Sequence, residues 1–351
     1  MLEHDHRDEE LVILHLDDRI ELSNPQFKYQ FQRRKFQKEL IPFSLENCSK
    51  QAPVRIPRVS TCAFSTILVT SSFSLNAIIV IERYCRNLFL FNISTKKLER
   101  QCKIRDFGVF VIEENYDGAG HDACIVTCKA DTLPSEYNDQ FLHAGLLVVK
   151  YDLQHFISAL ERDLIPTPLW VSSTVGLPIH DVCVRYEKNL LNTIYGFSKT
   201  GQVLVWKSSN GTIIFNDMLK WRILHKSLIS HCCFVNENRD LLIGTACHIG
   251  IFSCQTSEGL LQCSLKIDLT PQTRIVLTGI AYESSTQKVF VSTETDSKSS
   301  VLRVYSTLNG QLLQSFTMTS MSEYESLIQI IEHSGELITL NPFSSTLQVF
   351  K

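Results

Sequence analysis

The sequence lacks the motifs that mark the common classes of enzyme. It has no Gly-x-Ser-x-Gly nucleophile elbow, no glycine loop of the kind that cradles phosphate groups and no His-Glu-x-x-His zinc motif. His180 and Asp181 form a histidine–acid pair, but a catalytic pair also needs a nucleophile within reach, and no motif supplies one. The sequence therefore predicts a protein that is not an enzyme, with no catalytic residue, no cofactor and no metal site.

An excess of charge of one sign is also absent. The chain has 34 Lys and Arg residues against 37 Asp and Glu residues, which leaves a net charge of −3. This balance produces no global attraction to nucleic acid or to an anionic membrane, so any such binding has to be local. Apolar residues make up 44% of the chain, as expected of a globular protein with a full core.

The cysteines do not form the compact framework of a small secreted domain. All 12 are spread along the chain, and its first ten residues are acidic where a secretory signal is basic and then apolar. We therefore expect reduced thiols and a nuclear or cytoplasmic location. Most of the thiols should be buried and unreactive, with Cys48 and Cys102 as exceptions. Cys102 lies between Arg100 and Lys103, and cations favour the reactive thiolate.

One short segment contains three potential metal ligands. His121, Cys124 and Cys128 fall within eight residues. If this segment is extended, the two cysteines are about 13 Å apart, too far to bind one tetrahedral metal ion. The spacing therefore argues against a zinc site here.

Long uncharged runs are absent with one exception. Residues 59–81 carry no charge over 23 positions, which is long enough to cross a bilayer. Nine of these residues are Ser, Thr or Asn, and the run 70–74 interrupts the apolar pattern in the middle. Two strands joined by a serine-rich turn explain the segment, and we expect no membrane span.

An internal repeat is the strongest positive signal. Short apolar strands that end in an aromatic residue recur at intervals of roughly 45 to 60 residues, close to the period expected of propeller blades with four strands each. The strands are Leu88 to Phe91, Leu147 to Tyr151, Val203 to Trp206, Ile249 to Phe252, Leu302 to Tyr305 and Leu347 to Phe350.

The fullest repeat spans residues 180–206. It reads as a strand from His180, a turn at 187–189, a second strand to Ser198, a glycine turn at Gly201 and a third strand to Trp206. This order resembles a blade of the WD-repeat (tryptophan-aspartate repeat) family. The acid that follows the aromatic residue in that family survives here only in Tyr151-Asp152.

The resemblance implies an all-β fold, a single closed β-propeller over residues 58–351. Six blades account for the strands. A seventh blade would need strands within residues 20–57, where Pro25, Pro42, Pro53 and Pro57 argue against regular pairing. Proteins of this family bind other proteins. The expected function is therefore a non-catalytic scaffold or adaptor subunit of a multiprotein complex, with partners on the propeller faces and loops.

The first 57 residues divide into two parts. Residues 1–22 contain the apolar run Leu11–Leu16, which is typical of a strand. The last repeat stops after its third strand, so we expect Leu11–Leu16 to complete that blade and to close the ring. Residues 23–57 are predicted to be an arm or linker.

The arm carries the candidate binding site. Residues 27–40 interleave five basic residues with four aromatic residues, a combination that binds single-stranded nucleic acid through stacking and phosphate contacts. The same pattern suits packing against the propeller or docking onto a partner protein. The alternative function is therefore a subunit of an RNA- or chromatin-acting complex. The candidate contact residues are Phe31, Arg33, Arg34, Lys35, Phe36 and Lys38.

Overall fold

A computed structural model provides the structure of the protein. The residues it describes are 54–55, 67–72, 74–82, 86–141, 145–186, 192–219, 229–236, 239–245, 248–254, 261–268, 276–294, 300–317, 327–331, 335–341 and 346–350. In these ranges the strands form six four-stranded antiparallel sheets, numbered here sheet 1 to sheet 6 along the chain.

The first three sheets are each built from four consecutive strands. Sheet 1 contains β2 (Ile67–Ser72), β3 (Ala77–Glu82), β4 (Asn87–Asn92) and β5 (Leu98–Lys103). Sheet 2 contains β6 (Phe107–Glu113), β7 (Ala123–Lys129), β8 (Leu146–Asp152) and β9 (Trp170–Ser173). Sheet 3 contains β10 (Ile179–Arg185), β11 (Thr193–Ser198), β12 (Gln202–Lys207) and β13 (Ile213–Met218).

Sheets 4 and 5 repeat this order, and sheet 6 takes its fourth strand from before sheet 1. Sheet 4 contains β14 (Ile229–Val235), β15 (Asp240–Thr245), β16 (His248–Cys254) and β17 (Leu261–Asp268). Sheet 5 contains β18 (Val276–Glu283), β19 (Lys288–Glu294), β20 (Ser300–Ser306) and β21 (Leu312–Thr317). Sheet 6 contains β22 (Leu327–Ile331), β23 (Glu336–Asn341), β24 (Thr346–Phe350) and β1 (Val54–Arg55).

Sheet 2 also carries the described helices. A 3-10 turn (Ala130–Thr132) and helix α1 (Ser135–Phe141) lie between β7 and β8. Helix α2 (Leu153–Glu161) lies between β8 and β9. No helix among the described residues is long and apolar enough to cross a membrane. Within the uncharged run 59–81, β2 and the first part of β3 pair as neighbouring antiparallel strands.

The predicted aromatic-ended strands all occupy one position. Each is the third strand of its sheet, and each aromatic side chain is buried. In sheets 1, 3, 4 and 5 the register to the fourth strand shifts by one residue at this aromatic position. Such a bulge bends the outer strand and increases its twist. The aromatic residues are Phe91, Tyr151, Trp206, Phe252, Tyr305 and Phe350.

The core lies between the sheets. Apolar residues from both faces of the sheets form clusters that join sheet 1 to 2, 2 to 3, 3 to 4 and 4 to 5. Strand β18 lies against β22, and a further cluster joins sheet 1 to sheet 6. Because each sheet is covered on both faces, its middle strands are apolar at nearly every position rather than at every second one. The first strands of neighbouring sheets contact one another, so the fourth strands lie on the outside.

The strand beside β24 differs from the predicted one. Val54 pairs with Leu347, and Arg55 pairs with Thr346, so β1 holds the position that the sequence assigned to Leu11–Leu16. Leu11–Leu16 itself lies outside the described residues. The sequence pattern favoured the longer apolar run, but a two-residue edge strand needs no such run. Strand β1 lies between Pro53 and Pro57 in the sequence, which is allowed because prolines are tolerated at a sheet edge.

Candidate functional site

A buried ion pair joins sheet 2 to sheet 3. Glu113 ends β6, Lys150 lies in β8, and Ser208 follows β12 of the next sheet. The Lys150 Nζ atom lies 2.8 Å from Glu113 Oε2, and the two side chains are 4% and 1% exposed. The Ser208 hydroxyl donates to Glu113 Oε2 at 2.7 Å and accepts from Lys150 Nζ at 2.7 Å. A charged pair this deeply buried is tolerated only when its hydrogen bonds are satisfied.

Further contacts satisfy the other hydrogen-bonding groups of this ion pair. Lys150 Nζ also donates to the Ser208 carbonyl at 3.1 Å, so each of its three N–H groups has an acceptor. Asn192 Nδ2 donates to Glu113 Oε1 at 2.6 Å, and Trp170 Nε1 donates to the Ser208 carbonyl at 2.7 Å. With its donors occupied and almost no solvent access, Lys150 is unsuited to act as a nucleophile or base. The cluster is a structural connector between two sheets.

A related set of contacts joins sheet 4 to sheet 5. Thr307 follows β20, and its hydroxyl donates to Asn236 Oδ1 at 2.6 Å. Asn236 also donates its backbone N–H to the Tyr282 hydroxyl at 2.9 Å. Between sheets 2 and 3, Glu114 likewise donates its backbone N–H to the Tyr186 hydroxyl at 3.0 Å. The recurrence indicates that these polar clusters belong to the repeat architecture rather than to a reaction centre.

His180-Asp181 has a structural role as well. Asp181 Oδ2 accepts from the Cys232 backbone N–H at 2.7 Å and lies 3.6 Å from His231 Nδ1, so it links β10 to β14. Cys232 is buried beside Asp181. Burial is the main cause that raises the pKa of its thiol well above the usual range, which disfavours the thiolate. The described contacts of Asp181 therefore tie neighbouring sheets together.

The predicted cysteine chemistry needs one correction. Cys102 is buried, and burial followed by the nearby Glu161 carboxylate raises the pKa of its thiol, while Arg100 opposes this effect only in part. Glu161 is the last residue of α2, which packs against β5. The prediction of a reactive Cys102 is therefore wrong, because the sequence did not place a helix and its carboxylate over that strand. Cys48 lies outside the described residues.

Helix α2 also gives Asp152 a role that the resemblance did not imply. Asp152 accepts from the His155 backbone N–H at 2.7 Å and so caps the helix. The Tyr116 hydroxyl donates to the other carboxylate oxygen at 3.2 Å. Burial and this carboxylate together raise the pKa of Tyr116 to about 12. The helix itself was foreseeable, since its buried apolar residues follow helical spacing. They include Leu153, Phe156, Ile157 and Leu160.

The residues after α2 form an exposed apolar surface, called here the rim segment (residues 162–169). Leu164, Ile165 and Leu169 are 57%, 38% and 47% exposed. Pro166 and Pro168 are buried between them, so the extended chain turns alternate residues inward and outward. Its ends are held by hydrogen bonds from Leu164 N–H to the Ala159 carbonyl at 2.9 Å and from Leu169 N–H to the Lys150 carbonyl at 2.7 Å. The segment is thus an anchored strip of exposed apolar side chains.

The predicted binding residues of the arm cannot be placed beside this surface. Phe31, Arg33, Arg34, Lys35, Phe36 and Lys38 all lie outside the described residues. Cys124 and Cys128 are buried in the cluster between sheets 1 and 2, while His121 forms a hydrogen bond with Asp117 at 2.6 Å. Among the described residues, no group of three His, Cys, Asp or Glu side chains is arranged to hold a metal ion.

Comparison with known proteins assigns the fold. Among solved structures, 1273 chains match this one. The fold is therefore common and says little about function by itself. One is the β-propeller domain of Cps50 (Swd1) from Myceliophteria thermophila, with 10% sequence identity and a TM-score of 0.55, covering 86% of this chain and 99% of that chain. No protein-family model matches the chain, and a search of curated proteins finds no match. The chain therefore has an all-β propeller fold similar to that domain.

Proposed function

We propose that this protein is a non-catalytic scaffold or adaptor subunit of a multiprotein complex, located in the nucleus or the cytoplasm. In this proposal the six sheets are the six blades of one closed ring. Partner proteins bind to its faces and loops, and the protein is not an enzyme. The rim segment carries the proposal, because it presents apolar side chains to solvent on a support that is held at both ends.

The exposed apolar surface and the restricted backbone of the rim segment favour binding of a partner. Leu164, Ile165 and Leu169 would bury apolar surface against a partner, at about 25 cal/mol for each Å² removed from water. The two buried prolines and the terminal hydrogen bonds restrict the backbone beforehand. Less conformational entropy is then lost when a partner binds, which strengthens the complex.

Substitution of the rim segment tests the proposal. Leu164→Ser/Leu169→Ser should lower the amount of co-purified partner from native cells by about tenfold or more, because such anchors supply much of the binding free energy. Ile214→Ser/Met218→Ser on β13 is the matched control, since both residues are also exposed and apolar. The partner identified in this way is then titrated against the purified variants. Equal binding by the wild type and the rim variant would show that the rim segment is not the docking surface.

The alternative is contact with RNA or DNA through residues 27–40. The basic and aromatic composition of that segment favours it, and the net charge of −3 confines any such contact to a local surface. Under this alternative the protein is a subunit of an RNA- or chromatin-acting complex.

A further inference from the structure

The outer strands of the six sheets differ in how they are protected from edge-to-edge pairing. Proteins commonly protect a sheet edge with charged residues or by keeping the strand short. Strands β5, β13 and β17 contain charged residues, and β1 has an arginine in two residues. Strand β9 has no charge but only four residues. Strand β21, Leu-Leu-Gln-Ser-Phe-Thr, has six residues and no charge.

Strand β21 is also apolar and exposed. Leu312, Leu313 and Phe316 are 46%, 43% and 40% exposed, and Leu308 in the preceding turn is 68% exposed. Within the described residues, β21 pairs with β20 on one side and with no strand on the other. The register shift lies at the Leu312 end, so residues 314–317 keep regular pairing with β20.

The absence of charge suits one occupant in particular. When two identical strands pair about a two-fold axis, each residue faces a residue of the same short sequence. A strand with one charge, such as β13 with Asp217, would in some registers bring two carboxylates together, and like charges opposite one another destabilise a sheet. In β21, only leucine, phenylalanine and small or amide side chains would meet.

We propose that β21 pairs antiparallel with β21 of a second copy of this chain, which joins two propellers through one continuous sheet. The contact is small, since a stable interface buries about 1,200–2,000 Å² and a single strand edge provides less. The dimer therefore dissociates on dilution. This association is independent of the rim segment, so it stands or falls separately from the proposed scaffold function.

A charge-swap experiment tests the pairing without requiring its register. Sedimentation velocity over a dilution series should show the wild type moving from monomer toward twice the monomer mass. Gln314→Lys/Ser315→Lys and Gln314→Glu/Ser315→Glu should each raise the dimer dissociation constant about tenfold or more, because the paired edge then carries four charges of the same sign. An equimolar mixture of the two variants should restore the dimer. Thermal unfolding of each variant confirms that the fold is retained.

The matched control places two lysines on a different outer strand. Ile214→Lys/Asn216→Lys on the exposed β13 should leave the dissociation constant unchanged. A wild type that is monomeric at every concentration would overturn the proposal, and so would a dimer that survives the β21 variants. Loss of the dimer in the β21 variants without recovery in the mixture would also overturn it, because association then depends on another chemistry.

Discussion

Lys150 and Glu113 form an ion pair in which the two side chains come from non-adjacent strands and both contact a serine of the next sheet. Nζ and Oε2 are 2.8 Å apart, and Ser208 bonds to both groups. The pair therefore ties sheet 2 together and also joins it to sheet 3. An aliphatic residue at position 150 would leave the Glu113 carboxylate buried without its cation.

Lys150→Met should lower the free energy of unfolding by about 3–5 kcal/mol, because removal of one partner leaves an uncompensated buried charge. Chemical denaturation of the single variants and of Lys150→Met/Glu113→Leu measures the effect. The double variant should recover part of the lost stability, since no charge then remains buried. An additive loss in the double variant would contradict the interpretation of the two residues as a coupled pair.

A second prediction concerns strain at Val175. Val175 and Gly176 have φ values of 54° and 78°, and Leu177 N–H bonds to the Thr174 carbonyl at 3.0 Å, which describes a tight turn with two left-handed residues. A β-branched residue is disfavoured in this region, whereas asparagine adopts it readily. Val175→Asn should therefore raise the free energy of unfolding by about 1 kcal/mol. Thr167→Asn, at an exposed position outside such a turn, should change it by less than about 0.5 kcal/mol.

A third prediction separates the two candidate strands beside β24. Deletion of residues 1–20 removes Leu11–Leu16 but leaves β1, whereas deletion of residues 1–57 removes both. The longer deletion should cause the larger fall in melting temperature and the greater tendency to aggregate, because it exposes the β24 edge. Thermal unfolding and light scattering measure both effects. If the deletion of residues 1–20 lowers the melting temperature as much as the longer deletion does, residues 11–16 rather than β1 complete the last sheet.

The fourth prediction concerns thiol reactivity. Cys102, Cys124, Cys128, Cys183 and Cys232 are buried. Burial raises the pKa of the Cys102, Cys124, Cys128 and Cys232 thiols. A raised pKa means that the thiolate forms only at higher pH, so these sites should react slowly in native buffer near neutral pH. Mass spectrometry after brief labelling, with and without denaturant, identifies the sites. Fast native labelling of Cys102 would show that α2 does not protect it.

The fifth prediction tests the nucleic-acid alternative. Replacement of Arg33, Arg34, Lys35 and Lys38 by alanine should flatten the salt dependence of binding to single-stranded RNA or DNA, because fewer phosphate counterions are released. The measurement is a series of fluorescence titrations at increasing salt. Absence of any binding by the wild type at low salt would remove this alternative.

Several features of the fold could be predicted from local sequence. The aromatic-ended strands are apolar on both faces, and such runs indicate strands covered on two sides. Their spacing indicated a propeller, and the structure places every one of them third in its sheet. The described residues of the run 59–81 include β2 and the first part of β3. Its serine-rich centre had indicated two strands joined by a turn.

The contacts of the candidate site were harder to predict from the sequence. Lys150 interrupts an otherwise apolar strand, which signals a buried charge, but nothing local identifies Glu113, 37 positions earlier, as its partner. Asp152 was interpreted through the resemblance, although its place before a helical apolar pattern indicates a cap. Cys102 was judged by its cationic neighbours in sequence, while its actual environment includes Glu161.

The sequence by itself determined the strands, their repeat and the all-β propeller fold, because those depend on side-chain alternation and turn residues within a few positions. Only the tertiary structure decided which strand lies beside β24, which carboxylate meets Lys150 and which apolar residues of the rim segment and β21 remain in solvent. Those outcomes depend on contacts between segments that are separated along the chain. Many segments compete for such contacts, and the choice among them depends on packing rather than on local pattern.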